Sequence, residues 1–303
     1  MNYKLERLSD NNIKDVLFLF NSVFDFKATL PYLQKKYDTS YTHAKHLTYL
    51  LYDNDTPIAF YGALAQLFNF NGKKVLGVHA CDSIVMPNYQ RKGIHKFLAG
   101  KAYELMKTEH VKFVYAFHSE ATFYSCKKLN WEEHKNFRCF IFKTGAFPII
   151  KIAKRVGLKN LHKNYVNKYL KKYIATSFEN SNSQSLSVDY SPAFFKYKCF
   201  TNNYIIELDN VKWWIKISSG IMVGDVNFNS EEDLFKSINS LKKLGRKIGC
   251  SEITMQAYPE TILEKALTKK YDSFESWVLG VKKLDIDFDI SGLSPNFGDL
   301  DTF

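Results

Sequence analysis

The chain has 303 residues, 46% apolar and 16% aromatic, with a formal net charge of +11 at pH 7. This is an ordinary globular composition, long enough for a sizeable core and about two domains. No run approaches the roughly 20 apolar residues that span a bilayer, the first ten residues lack a signal-peptide core, and five widely spaced cysteines form no C-x-x-C pair. The sequence therefore predicts a cytoplasmic protein with reduced thiols, no transmembrane segment and no metal site.

In chain order, residues 4–8 read as a strand, followed by a helix capped by Ser9 or Asp10 and running to about residue 24. A second helix is expected over 30–37. Strands follow at 47–52 and 57–70, with turn signals at Asp53-Asn54-Asp55 and Asn71-Gly72, and another at 75–85. Ile94, Phe97, Leu98, Ala102, Leu105 and Met106 recur at steps of three and four, so a helix opening at Gly93 should lie on a sheet. An intervening helix makes the next strand, 112–117, parallel to 75–85. A short helix at 121–129 and a strand at 133–143 complete this half.

The loop Gln90-Arg91-Lys92-Gly93-Ile94-His95 stands at that helix's N-terminus, where unpaired N–H groups and the positive dipole end favour an anion such as a diphosphate. This strand, loop and helix resemble the central motif of the GNAT family of acyl-CoA-dependent N-acyltransferases: Gln or Arg, two residues, Gly, one residue, then Gly or Ala. His95 departs from it, because a small residue is usual there. Lys128-Leu129-Asn130-Trp131 resembles the family's closing Leu-Gly-aromatic, with Asn130 in place of Gly and Cys126 where the family has Tyr. The resemblance covers roughly residues 3–143. It implies an α/β (α+β) GNAT fold, a mixed sheet flanked by helices.

The resemblance further implies that Ser83, Ile84 and Val85 pair by main chain with the pantetheine of acetyl-CoA, and that Gln90 to His95 cradle its diphosphate. Acyl transfer to an amine needs a neutral amine, a polarised thioester and a proton for the leaving thiolate. Candidate bases are His79, Asp82, His118 and Glu120; candidate acids are Cys126 and Tyr124. Each of them also fits a structural role.

Residues 146–175 carry eight Lys or Arg and no acid, with apolar residues at irregular helical spacing. They fit either a basic helix on a membrane or polyanion, or a connecting helix with a solvated face. Residues 176–191 are Ser-rich and read as a linker. Strands at 203–208, 212–217 and 221–228, a helix at 231–248, a strand at 252–257, a helix at 260–270 and a strand at 274–283 then repeat the first half's order. Here the strand-to-helix turn carries Glu231, Glu232 and Asp233, which would repel a diphosphate.

The expected layout is a GNAT N-acyltransferase domain over 1–145, a basic connecting helix and linker over 146–190, and a GNAT-like domain with an acidic tail over 191–303. Asp299 and Asp301 in that tail are expected either to attract an acceptor's ammonium group or to lie frayed in solvent. The function expected is transfer of an acetyl group from acetyl-CoA, the one co-substrate, to an amine of a small-molecule or amino-sugar acceptor. The alternatives are an aminoacyl or peptide-type transferase and a non-catalytic basic module for nucleic acid or membrane. Nothing in the sequence sets the oligomeric state.

Overall fold

The computed structural model describes residues 3–179 and 186–303, without the side chains of Glu120, Ala121, Ser125, Lys154 and Lys159. The first half runs β1 (Tyr3–Arg7), α1 (Ile13–Val23), α2 (Leu30–Tyr37), β2 (Tyr49–Asp53), β3 (Thr56–Phe70), β4 (Lys73–Val85), α3 (Ile94–Thr108), β5 (Phe113–His118), α4 (Glu120–Lys127) and β6 (Glu132–Lys143). The connecting stretch holds α5 (Ile149–Arg155), α6 (Lys159–Leu170), β7 (Leu186–Val188) and α7 (Pro192–Lys198). The second half runs β8 (Asn203–Leu208), β9 (Val211–Ile217), β10 (Ile221–Asn227), α8 (Glu231–Lys247), β11 (Glu252–Ala257), α9 (Ile262–Thr268) and β12 (Phe274–Lys283).

Two compact units result, and neither is continuous in sequence. One comprises Met1–His134, Ala193–Phe200 and Val278–Gly292; the other comprises Lys135–Pro192, Thr201–Trp277 and Leu293–Phe303. In the first, β1 to β4 form an antiparallel meander, β5 adds parallel to β4, and residues 278–283 of β12 close the edge antiparallel to β5. The hairpin between β3 and β4 turns through Asn71 and Gly72, both at positive φ (48° and 77°), as a two-residue primed turn requires. Because side chains alternate along a strand, β3 feeds two cores. Ala63 and Ala65 face Leu98, Ala99 and Ala102 of α3, while Phe60 and Leu64 meet Leu19, Phe20 and Leu33 of α1 and α2.

In the second unit the strand order is β6-β11-β10-β9-β8, parallel only between β10 and β11. Leu234, Ile238, Leu241 and Leu244 of α8 pack on Trp213, Ile215 and Met255. Three local expectations differ. α1 starts at Ile13 rather than after Ser9 or Asp10, because the Asn12 side chain accepts from Ser9 N (2.8 Å) and closes a turn first. The basic stretch is two helices, broken at Gly157 with φ +76°. Part of the Ser-rich linker, residues 180–185, lies outside the described residues.

The acidic tail is docked, not frayed. The parallel pairing of β10 with β11 ends at Val223↔Met255, and the turn Phe297–Asp299 packs beside both strands beyond that point. Phe303 is fully buried, 5.0 Å from the Trp214 ring. A Cβ on Gly224 would meet Phe303 at 2.6 Å, so the glycine makes the notch that the ring fills. Asp299 is 1% exposed and acts as a capping carboxylate: Oδ2 accepts from Asn296 N (2.7 Å) and Oδ1 from Tyr190 Oη (3.0 Å). Asp301 is buried as well. Asp299 thus serves as an internal cap, both of its oxygens accepting hydrogen bonds from within the chain.

Phe303→Ala should therefore cost about 3–5 kcal/mol of stability, the usual range for an aromatic truncation in a packed core. Urea unfolding checks this; a loss under ~1 kcal/mol would mean that the ring is not part of the core.

Candidate active site

β4 and β5 pair at Gly77↔Phe113, Val78↔Val114 and His79↔Tyr115, and no further. Beyond His79 each strand stays bonded on its outer side, β4 to β3 as far as Val85 and β5 to β12 as far as His118. The two inner edges thus diverge from Ala80 onward, and their N–H and C=O groups face a wedge instead of a ladder. A bulge sharpens the divergence: Asp82 and Ser83 stand between the pairs Gly62↔Cys81 and Phe60↔Ile84, with Asp82 at φ +43°. Gly62 permits this, since a Cβ there would lie 2.4 Å from Cys81 O.

The chain leaves β4 through Met86, whose N–H donates to Ile58 O (2.9 Å), and a single turn at Pro87–Tyr89. Gln90 Nε2 donates back to Val85 O (3.1 Å), and Tyr89 Oη donates to Asp53 Oδ2 (2.9 Å). Arg91 and Gly93 are left-handed (φ 62° and 77°). Nothing lies within 4 Å of a Cβ built on Gly93, so backbone conformation rather than crowding favours glycine there. Phe97 N donates to Gly93 O, which leaves the N–H groups of Ile94, His95 and Lys96 ahead of the helical ladder. No side chain caps α3 and its first turn holds no acid, while Arg91, Lys92 and Lys96 are exposed around it. The His95 ring stands 5.8 Å from Tyr61, and burial lowers its pKa, which keeps it neutral.

The same position in the second half is self-satisfied. Ser230 Oγ accepts from Asp233 N (3.1 Å), and Glu231, Glu232 and Asp233 occupy the first turn of α8.

Around the wedge, His79 is buried between the rings of Tyr115 (5.0 Å) and Phe117 (5.7 Å). Asp82 Oδ2 accepts from Lys36 Nζ at 2.5 Å and from Tyr37 Oη at 2.8 Å. Lys36 is 1% exposed. Its role had a signal in the sequence: Leu33, Lys36 and Tyr37 share the buried face of α2, and a Lys in such a stripe calls for a buried carboxylate.

On the other side, Ser119 caps α4, accepting from Thr122 N, and Phe123 and Cys126 face inward. Cys126 is 7% exposed, and burial pushes its thiol up to about 11. Tyr124, one step round the helix, is 68% exposed. Tyr103 Oη links Tyr61 Oη (3.1 Å) and Trp131 Nε1 (2.9 Å) in the same core, and Asn130 is left-handed at φ 58°. His118 lies against Phe123 and Trp131 with its Nε2 buried and without a hydrogen bond, over Gly280, where a Cβ would meet that nitrogen at 2.9 Å. The side chain of Glu120 lies outside those described.

Residues 4–133 match the family model described as an acetyltransferase (GNAT) domain. A probable N-acyltransferase from Enterococcus faecalis V583 has a similar fold, with a TM-score of 0.63 at 13% identity over 94% of this chain and 74% of that one. A GCN5-related N-acetyltransferase from Kribbella flavida gives 0.59 at 12% identity, covering 94% and 71%. Saccharomyces cerevisiae N-myristoyltransferase with bound myristoyl-CoA gives 0.55 at 10%, covering 93% and 79%. No curated protein matches the sequence. The GNAT-domain model thus matches the first unit's core stretch, and the fold of nearly the whole chain is similar to those of GNAT-type structures.

Burial holds His118 down to about 4, below its ordinary 6.5. Above pH ~6.5 both native and unfolded chains carry it neutral; between about 6.5 and 4 only the unfolded chain takes the proton. Its contribution is therefore fully present above pH ~6.5 and is lost on acidification toward 4, about 3 kcal/mol in all. His118→Leu should flatten the fall of the urea midpoint across that window, leaving the slope from His46, His95 and His134, which burial also lowers. An unchanged slope would mean that the ring is not protected from protons.

Proposed function

We propose that the chain is a cytoplasmic acyl-CoA-dependent N-acyltransferase that moves an acetyl group from acetyl-CoA to an amine of a small-molecule or amino-sugar acceptor. One observation carries the reading: the β4–β5 ladder stops at His79↔Tyr115 beside a helix whose N-terminus is uncapped, free of acids and ringed by basic residues. Pantetheine is an amide-bearing strand mimic, and the edge Ser83-Ile84-Val85 offers it main-chain partners. The coenzyme's diphosphate suits the N–H groups of Ile94, His95 and Lys96, with Gln90, Arg91 and Lys92 around the turn. The likeness in fold to a yeast transferase with bound myristoyl-CoA is consistent with a thioester donor. Five free cysteines are consistent with a reducing compartment.

In the reaction proposed, the amine nitrogen forms a bond to the thioester carbon, the C–S bond breaks, and one proton leaves the nitrogen as another reaches the thiolate. Asp82, ion-paired with Lys36, is a carboxylate suited to meeting the acceptor's ammonium group. A Cys126 thiol near 11 gives its proton to a thiolate of ordinary pKa about 8.5 only uphill, by about 3 kcal/mol. His79 and Tyr124 remain the other groups proposed for proton transfer. In this reading, orientation of the two substrates carries most of the rate.

Calorimetry of the full chain should show acetyl-CoA binding. Gly93→Asp should weaken it by roughly 10- to 100-fold, because a carboxylate would oppose hydrogen bonds worth about 1.5–3 kcal/mol to a charged acceptor. Gly93→Asn, which tolerates the left-handed backbone, should change it far less. No binding by the wild-type chain, or equal loss in both variants, rejects the assignment.

A further inference from the structure

The transferase reading leaves one surface of the second unit unused. α5 and α6 are fastened to it by their inner faces: Ile150, Val166 and Leu170 enter the core. Ile150 N donates to Gly249 O, the His162 ring bonds Ile248 O (2.8 Å) and Tyr165 Oη donates to Lys247 O (3.0 Å). A helix held this way ordinarily turns polar residues outward. Here Ile149 and Ile152 on α5 and Val156 just past its end, spaced i, i+3, i+7, point out, continued by Leu161 on α6 and flanked by Phe147. Phe147 is 71% exposed, Leu161 66% and Val156 59%.

Single exposed apolar side chains are ordinary, but a run of them on two packed helices is not. Around the run, Lys151, Arg155, Lys163, Lys168, Lys171 and Lys172 are exposed, and residues 146–175 contain no acid. The C-terminal turn of α8, against which the pair is fastened, adds Arg246 and Lys247.

We infer that this face is a docking surface for a membrane leaflet rich in anionic lipid headgroups, on which α5 and α6 lie flat. Charge complementarity supplies the attraction, and the aliphatic side chains supply what nucleic acid would not use. Phosphate backbones and stacked bases reward basic and aromatic residues, whereas outward Ile, Val and Leu gain only where they leave water, about 5–10 Å deep at the headgroup boundary. No helix among the described residues is long and apolar enough to cross a membrane, so the contact is peripheral. The inference does not depend on the transferase activity.

Flotation of the full chain with vesicles tests it. The chain should rise with vesicles of phosphatidylcholine plus phosphatidylglycerol, not with phosphatidylcholine alone, and less so in high salt. Lys151→Gln with Arg155→Gln should lower partition about 25-fold, at about fivefold per basic residue near the surface. Ile152→Glu with Leu161→Glu should abolish it with an unchanged melting temperature, since both side chains are exposed. The inference fails if anionic vesicles do not bind the chain or if the Glu variant still binds them. It also fails if duplex DNA binds with the Glu variant unimpaired while vesicles do not, which would make the face a polyanion surface. Self-association that the Glu variant abolishes, without vesicle binding, would assign the face to a second copy of the chain.

Discussion

The parting of β4 from β5 after His79 is the constraint from which the rest of the first unit follows. A strand's N–H and C=O groups need partners, and a sheet interior that withholds them must supply another acceptor or donor. Two devices keep the parting open. The bulge at Asp82–Ser83, allowed by Gly62, turns β4 away, and antiparallel pairing to residues 278–283 of β12 holds β5 on its other side. The buried pair Lys36–Asp82 then locks the bulge to α2. Such a pair adds little net stability over an apolar alternative, yet loss of either partner leaves a buried charge, which fixes the arrangement.

Each half of the sequence closes the other half's sheet. β6 leaves the first half to pair with β11, and β12 leaves the second to pair with β5. An unpaired edge strand is a template for unwanted pairing, and the exchange gives β5 and β11 each a partner from a distant part of the chain. The consequence is kinetic as well: ladders between residues 113–118 and 278–283 require very distant segments to meet, the kind of contact that slows folding.

Elements were legible where local chemistry decides them. Asn71-Gly72 had to be a primed turn, and the spacing of Leu98, Ala102 and Met106 had to be a helix on a sheet. The loop from Gln90 to His95 was readable because a left-handed glycine and a missing cap are themselves local properties. Partners were not legible. Period-2 alternation in 274–283 marks a strand but says nothing of which edge it joins, so the pairing with β5 could not be foreseen. The tail has no period at all; its docking depends on the notch at Gly224 and on Trp214, which lie some 80 residues away. Asp299 looked like a solvent acid because its partner Tyr190 is equally remote.

The contrast between α3 and α8 explains why two halves of one layout differ in chemistry. A helix N-terminus carries about half a positive charge and several unsatisfied N–H groups. At α8, Ser230 and three acids answer them from within, and the strand gap beside β10 is filled by the turn Phe297–Asp299. At α3, Gly93 provides no side chain and the flanking residues are basic, so the same electrostatic demand is directed outward. Stabilising caps of this kind are worth roughly 0.5–2 kcal/mol, and their absence at α3 fits the anion site proposed there, since a residue that satisfied the helix would compete with the anion. In the reading proposed above, the second half's own chain takes the place that the first half leaves to a coenzyme.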